Sequence, residues 1–212
     1  MKKIILFSAA LLMGAGTFAQ TLIEKVDPVA GSIDISYEKW QLDNGLTIIV
    51  HEDHSDPIVH TEVTYHVGSN REQIGITGFA HFFEHMMFQG SDNVADEEHF
   101  KIISEAGGDM NGTTNRDRTN YFETVPSNQL ETTLWLEADR MGFLIDAVTQ
   151  KKFEVQRDAV KNEKAQRQTN VPYGMVMEVL GQTLYPNGHP YSWPTIGYID
   201  DLDRVTVTEL KD

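Results

Sequence analysis

The segment His81-Phe82-Phe83-Glu84-His85 gives the strongest indication of how this chain folds. On a helix, at about 100° per residue, His81 and His85 lie about 40° apart and Glu84 lies about 60° to the other side of His81. The three ionisable side chains therefore share one face. Apolar residues surround that face, namely Phe82, Phe83, Met86, Met87 and Phe88. This pattern is typical of a helix that is buried on nearly all sides.

Burying three ionisable groups without partners would cost several kcal/mol, so the pattern favours coordination of a metal. Two neutral imidazoles supply half of a tetrahedral Zn²⁺ shell, and a third protein ligand would leave the fourth position to water. Glu84 would then lie beside that water as a base. The alternative is a chance occurrence of the pentapeptide, which the apolar surroundings disfavour.

The third ligand must come from another element. On a helix predicted at 151–167, Glu163 continues an inward stripe formed by Gln156, Ala159 and Val160. Glu137 is a rival, because it follows the stripe of the preceding helix, formed by Leu130, Leu134, Ala138 and Met141. Glu137 could equally be a buried carboxylate paired with Arg140. Periodicity leaves both candidates open.

The N-terminal segment 1–19 has the parts of a secretory signal peptide: Lys2 and Lys3, an apolar run over 4–13 and a small-residue cleavage site at Thr17-Phe18-Ala19. We expect cleavage before Gln20, export to the periplasm or the extracellular space, and no stable membrane span afterwards. An uncleaved anchor is the weaker alternative. The chain has no cysteine, so neither a disulfide nor a lipid-modified cysteine is possible.

The chain is acidic, with 17 Lys and Arg against 32 Asp and Glu and a net charge of −15. Loss of residues 1–19, which hold two of the lysines, would bring the net charge near −17. The acidic residues are dispersed along the chain, which is typical of a solvated surface. This balance excludes nucleic acid as a partner class.

The hydrophobic pattern groups strands with helices without strict β-α-β alternation. It predicts an α+β domain in which a mixed or antiparallel sheet packs against several helices. A hairpin is predicted around Asp43-Asn44-Gly45, and a third strand over 58–67 is expected to pair with it. Further predicted elements are extended chain over 109–125 and helices over 97–106, 128–144, 151–167 and 173–184. Residues 205–212 stop inside a continuing pattern, so the chain is expected to be cut short.

Several segments in order resemble the pitrilysin/insulinase-type zinc peptidases, the inverzincins, whose signature is H-x-x-E-H. The resemblance covers nearly all of residues 37–205. Besides the pentapeptide, the matching segments are Gly107-Gly108-Asp109-Met110-Asn111-Gly112-Thr113-Thr114, the Asp117-x-Thr119-x-Tyr121 pattern, Trp135-Leu136-Glu137-Ala138-Asp139-Arg140-Met141, Val160-Lys161-Asn162-Glu163 and Pro172-Tyr173-Gly174.

The resemblance implies that His81, His85 and Glu163 bind one Zn²⁺ per chain and that Glu84 is the catalytic base. The separation of His85 from Glu163 along the chain is near the family's usual interval, which decides against Glu137. The resemblance further implies that a peptide or unfolded protein binds as an added strand along Met110, Asn111, Gly112 and Thr113.

The function expected from this resemblance is that of a zinc-dependent endopeptidase, which hydrolyses extended peptides with a metal-activated water and Glu84 as general base. The expected organisation is a signal peptide at 1–19, an N-terminal extension at 20–36 and an N-terminal catalytic domain at 37–212. That domain would be one half of a two-halved clam-shell peptidase.

Family members take an arginine and a tyrosine from the second half. We therefore expect this chain to need a second homologous half, in the same longer chain or as a partner. The alternatives are the zinc-binding half of a heteromeric peptidase and a non-catalytic peptide-binding or scaffold homologue, inactive without a second half.

Two residues depart from the family pattern. Gly112 stands where alanine is common, which is expected to loosen the substrate strand. Gln156 replaces a glutamate that many members carry as a supporting acid, and this change is expected to affect only secondary tuning of the metal.

Overall fold

The computed structural model of the chain describes residues 20–28, 31 and 35–211. The predicted signal peptide, residues 1–19, lies outside the described residues. The chain divides after Asp56 into two units, which are described separately below. None of the helices in the described part has both the length and the apolar character needed to cross a membrane.

The first unit is a three-stranded antiparallel sheet of β1 (Gln20–Val26), β2 (Tyr37–Leu42) and β3 (Thr47–Val50). The predicted hairpin between β2 and β3 is confirmed. In its turn, Asn44 Oδ1 accepts a hydrogen bond of 3.0 Å from the Leu46 N–H, and Gly45 has a φ of 89°, which glycine adopts without steric cost. Strand β1 was not predicted, because its residues were assigned to an N-terminal extension. The proposed domain start at residue 37 stays a prediction.

The sheet of the second unit contains β4 (Ile58–Tyr65), β5 (Asp109–Thr114) and β6 (Thr119–Pro126) in the order β4-β6-β5, all antiparallel. The prediction that residues 58–67 pair with the preceding hairpin is wrong, since β4 pairs along its whole length with β6. Alternation of apolar residues fixes which face of a strand is buried, but it does not identify the neighbouring strand. Strand β5 lies at the edge, and its outer side has no strand partner among the described residues.

Seven α-helices are present in the described part of the second unit. They are α1 (Phe79–Met86), α2 (Glu98–Glu105), α3 (Leu130–Ala147), α4 (Gln150–Lys164), α5 (Val176–Leu184), α6 (Ile199–Arg204) and α7 (Val207–Lys211). Helix α4 continues directly into a π-helical turn, Ala165–Thr169. The predicted α+β class, with antiparallel sheets and several helices, is confirmed.

Helix α1 is buried between the sheet and α4, as its apolar sequence predicts. Phe82 and Met86 are 1% and 0% exposed, and the Phe82 ring meets Phe153 of α4 edge to face with centroids 5.0 Å apart. Burying each such side chain stabilises the fold by about 1.5–3 kcal/mol. This packing fixes the position of α1 against α4.

A buried polar cluster joins α2, β6 and α3. It consists of His99, Glu123, Glu137 and Arg140, none of which is more than 3% exposed. Arg140 Nη2 forms an ion pair with Glu137 Oε1 and lies 3.5 Å from Glu123 Oε1. The Arg140 guanidinium also stacks on the Tyr121 ring, 4.2 Å from its centroid. Glu137 is therefore a buried carboxylate paired with Arg140, the alternative considered from the sequence.

The predicted apolar stripe on α3 is wrong. Leu130, Leu134 and Met141 are 40%, 51% and 48% exposed, whereas Glu137 and Arg140 of the same helix are buried. Hydrophobic periodicity assigns the inward face to apolar residues, and it fails here because the inward face of α3 carries a paired polar network.

The buried carboxyl of Glu123 makes stability depend on pH. Burial, and then the neighbouring Glu137, raise the pKa of Glu123 from 4.5 to about 9. A carboxyl with a higher pKa in the folded than in the unfolded chain contributes stability that is complete below about pH 4.5 and is lost as the pH rises toward 9. Glu123→Gln keeps the shape and offers a donor without a titrating proton. As the pH is raised from 5 to 8.5, we expect the free energy of unfolding of Glu123→Gln to rise relative to that of the wild type by about 2–4 kcal/mol.

Urea unfolding at the two pH values measures this difference. The matched control is Glu131→Gln on the exposed surface of α3, for which the difference from wild type should not change with pH. A Glu123→Gln difference that is equally independent of pH would contradict the prediction.

Candidate active site

The start of α1 is fixed by close backbone contacts. Gly78 precedes the helix with a φ of 85°, and a Cβ at this position would lie 2.6 Å from the carbonyl oxygen of Ile196. Only glycine allows that approach. The backbone N–H groups of Gly78 and Ala80 donate hydrogen bonds of 2.9 and 2.8 Å to the Glu72 carboxylate, which caps the positive end of the helix. These contacts fix where α1 begins.

Helices α1 and α4 bring three predicted ligands together. Glu163 Oε2, in the last turn of α4, lies 3.1 Å from His85 Nε2 and 3.6 Å from His81 Nε2. Together they offer three ligand atoms, all within 4.8 Å of one another. The side chains are 13% (His81), 26% (His85) and 17% (Glu163) exposed, so the site is largely shielded and still reachable from solvent.

The protonation states at this site suit a metal ion. Burial, and then the charge of His85, lower the pKa of His81 to about 4. A hydrogen bond with His85 lowers the pKa of the Glu163 carboxyl, against the opposing effect of burial. At pH 7 the site therefore offers a neutral imidazole at His81 and a carboxylate at Glu163. Two imidazole nitrogens and one carboxylate oxygen form a donor set that fits Zn²⁺.

The rival Glu137 lies in the buried polar cluster with His99 and Glu123, which also form a group of potential ligands. The Arg140 guanidinium lies beside this group, with its Nη2 3.5 Å from Glu123 Oε1. A fixed cation at this distance opposes the binding of a second one. The buried polar cluster is therefore a poor metal site.

Glu84 lies between α1 and β5, beside the three potential ligands. Its side chain is 7% exposed, and Thr114 Oγ1 donates a hydrogen bond to Glu84 Oε2. Burial raises the pKa of Glu84, and the Thr114 hydrogen bond opposes that rise. A Cβ at Gly112 would lie 3.1 Å from both Glu84 Oε1 and the Phe88 ring. Glycine at this position therefore leaves room for the Glu84 carboxylate.

A cleft with a volume of about 910 Å³ runs along β5. It is lined by His81, Glu84, His85, Glu163, Gln156 and three of the predicted substrate-binding residues, Asn111, Gly112 and Thr113. The side chain of Met110, the fourth, is 7% exposed and belongs to the hydrophobic core. The structure thus places the predicted ligands, the predicted base and the edge strand around one cavity.

The contacts of two residues in this region were not predicted from the sequence. Thr114 belongs to the segment that resembles the family's substrate strand, but its hydrogen bond to Glu84 was not predicted, although Thr114 follows Gly112 on the same face of β5. Arg167 Nη1 lies 2.6 Å from Glu163 Oε1, and its i+4 position after Glu163 on a continuing helical turn was the available signal.

Comparison with known proteins agrees with this arrangement. Residues 47–192 match the family model described as Insulinase (Peptidase family M16). The zinc protease PqqE of Helicobacter pylori is 32% identical over 99% of this chain and 45% of its own length. The human insulin-degrading enzyme is 31% identical over 45% of this chain and 9% of its own length.

Solved structures show the same fold. The crystal structure of a protease from Helicobacter pylori has a TM-score of 0.79 and 32% identity, covering 84% of this chain and 42% of that one. The first half of the periplasmic protease PqqL from Escherichia coli has a TM-score of 0.71 and 23% identity, covering 82% of this chain and 38% of that one. The predicted likeness to one half of a two-halved peptidase is therefore confirmed at the level of the fold.

The chain spans less than half the length of each of these relatives. Two of the relatives found are named zinc proteases. Because the family model covers more than half of the chain, the family assignment made from the sequence is confirmed. The chain therefore belongs to the insulinase family of peptidases, peptidase family M16.

Proposed function

We propose that this chain carries the zinc site of an endopeptidase that hydrolyses extended peptides or unfolded proteins. The observation that supports this most strongly is the convergence of His81, His85 and Glu163 on one side of Glu84, next to an open strand edge. These three residues would hold one Zn²⁺ per chain. When bound, Zn²⁺ would polarise the scissile carbonyl as a Lewis acid and lower the pKa of water.

Glu84 is the proposed general base. Its carboxylate would accept a proton from the attacking water and deliver that proton to the leaving amine. The hydrogen bond from Thr114 leaves Glu84 Oε1 as the second oxygen to take up the proton. The burial of this side chain between its own helix α1 and strand β5 holds the carboxylate in one orientation, which favours proton transfer.

Strand β5 is the proposed substrate-binding element. Its outer side has no strand partner among the described residues, and Asn111, Gly112 and Thr113 of this strand line the cleft. A peptide added there as a further strand would gain main-chain hydrogen bonds that do not depend on its sequence. Met110, Asn111, Gly112 and Thr113 would supply this edge.

The whole protein is proposed to contain a second homologous half, in the same longer chain or as a partner, because the relatives are about twice as long as this chain or longer. We further propose that residues 1–19 are removed on export and that residues 37–212 form the catalytic domain. The description of PqqL as periplasmic supports an exported location.

Zinc analysis tests the ligand assignment. We expect one zinc per purified wild-type chain and at least about a 100-fold loss of zinc affinity in Glu163→Gln, because one of three protein ligands is removed. The matched control is Glu154→Gln on the same helix, where the side chain is 47% exposed and should leave zinc binding unchanged. Competition with a chromogenic chelator measures the affinities. Equal affinities in the two variants would contradict the assignment.

Cleavage of a mixed peptide substrate tests the reaction. We expect a chelator to abolish cleavage and added zinc to restore it, with the chain joined to a second half more active than the chain alone. Zinc binding without cleavage in either form would favour the alternative of a peptide-binding or scaffold homologue.

A further inference from the structure

A second cavity adjoins the cleft and is lined by two arginines. Its volume is about 280 Å³, and it shares His81, Thr114, Glu163 and Arg167 with the cleft while adding Arg116. We call it the arginine pocket. We propose that the arginine pocket binds a carboxylate of the peptide substrate and that Arg116 determines this specificity. The inference rests on the proposed peptidase function and deepens it by naming the substrate class.

Arg116 is a cation without an anionic partner. No carboxylate of the described residues lies within 4.0 Å of its guanidinium, and its Nε is buried without a hydrogen-bond acceptor among them. Its guanidinium instead lies over the Tyr191 ring, 5.4 Å from the centroid. Because the Nε is closed to solvent, an incoming carboxylate would be bound by the terminal amino groups of Arg116, which have no hydrogen-bond acceptor among the described residues.

The carboxylates that line the arginine pocket already have cationic partners. Glu163 pairs with Arg167 at 2.6 Å, and Glu178 pairs with Lys164 Nζ at 3.0 Å. The neighbouring Asp117 is occupied as well, because it accepts hydrogen bonds of 2.6 and 2.7 Å from the Tyr191 hydroxyl. Arg116 is therefore the cation left to bind an external anion, in a chain whose net charge is −15.

The backbone of Arg116 is held in place before any substrate binds. Asn115 Oδ1 accepts hydrogen bonds of 2.7 and 2.9 Å from the N–H groups of Asp117 and Arg118, which fixes the turn between β5 and β6. The Arg116 carbonyl accepts a hydrogen bond of 2.8 Å from the Asn70 N–H. A preformed site loses less conformational entropy on binding than a mobile one.

The position of the arginine pocket predicts how far along the peptide the bound carboxylate lies from the scissile bond. Arg116 follows the last residue of β5, Thr114, by two positions, and Thr114 also contacts Glu84. A peptide lying along β5 therefore passes the proposed metal site and reaches Arg116 within a few residues, at about 3.3 Å per residue. An Asp or Glu side chain near the scissile bond, or a terminal carboxylate, carries the required group.

Binding to a zinc-loaded Glu84→Gln chain tests the inference without turnover. The probes are short peptides of equal length with acetylated and amidated ends that carry one Glu at successive positions, and a matched set carries Gln. A third set carries Gln and ends in a free carboxylate. Isothermal titration should show about tenfold tighter binding of Glu than of Gln at one or two positions, the value of a charge-assisted hydrogen bond. Tighter binding of the third set instead identifies the terminal carboxylate as the anion.

Variants assign the preference to Arg116. In the same background, Arg116→Gln should abolish it, and Arg116→Lys should retain part of it, which shows that the turn still folds. Lys151→Gln removes a charge from an exposed position of α4 that lines neither the cleft nor the arginine pocket, and it should leave the preference unchanged. Equal binding of all three peptide sets, or a preference that persists in Arg116→Gln, would overturn the inference and leave the proposed function standing. Binding of no peptide would contradict both.

Discussion

Replacement of Glu84 by glutamine is expected to reduce peptide hydrolysis by about 10²- to 10⁴-fold, the usual contribution of a general base. Glutamine keeps the shape of the side chain and an oxygen that accepts the Thr114 hydrogen bond, but it cannot take a proton from water. Zinc content should not change, because Glu84 is not one of the three residues whose ligand atoms converge. Initial rates on a quenched fluorescent peptide, with zinc measured on the same preparation, provide the test.

The control for this result is Glu105→Gln, the same substitution at an exposed position of α2, which should retain wild-type rates. A Glu84→Gln protein that holds zinc and cleaves within about threefold of wild type would exclude Glu84 as the base. Loss of zinc from the same variant would instead show that Glu84 supports the metal site.

Replacement of Arg140 by methionine is expected to lower the free energy of unfolding by about 3–5 kcal/mol, because it leaves Glu137 as a buried carboxylate without a cation. The arginine is 3% exposed and also stacks on Tyr121, so methionine restores only part of the packing. An exposed pair provides the control. Lys101 and Glu105 are 3.9 Å apart and about two-thirds exposed, and Lys101→Met should cost less than about 1 kcal/mol.

Urea unfolding measures both variants. The double variant Arg140→Met/Glu137→Gln should be more stable than Arg140→Met alone, since the uncompensated charge is removed with its partner. Additive losses in the double variant would show that Arg140 acts through packing on Tyr121 and not through its charge.

The local geometry of the site was predictable from the sequence. The shared face of His81, Glu84 and His85 follows from the helical repeat, and their apolar surroundings predict the burial of α1. The position of Glu163 on the inward stripe of α4 was also predictable. The choice between Glu163 and Glu137 was not, because periodicity places both on an inward face. The resemblance to a family favoured Glu163, and the structure shows that Glu137 is instead paired with Arg140.

Contacts between distant segments were not predictable from the sequence. Strand β4 alternates as expected, but its pairing with β6 depends on the return of the chain after α1, α2 and β5 have intervened. Arg116 lies in a turn, where no periodic pattern marks a side chain as functional. Its environment is created by Tyr191 and α5, which follow much later in the chain, beyond α3 and α4.

The composition of β5 bears on whether two copies of this chain can pair through their strand edges. An open strand edge can pair with the same edge of another copy, which would cover both clefts and lead toward aggregation. Asp109, Asn111 and Gly112 are among the residues least favoured in strands, so two copies of β5 would pair weakly. A peptide that also reaches the cleft gains contacts that a second copy of β5 lacks. Weak strand propensity at this edge therefore disfavours pairing between copies while it leaves the edge unpaired for the proposed peptide substrate.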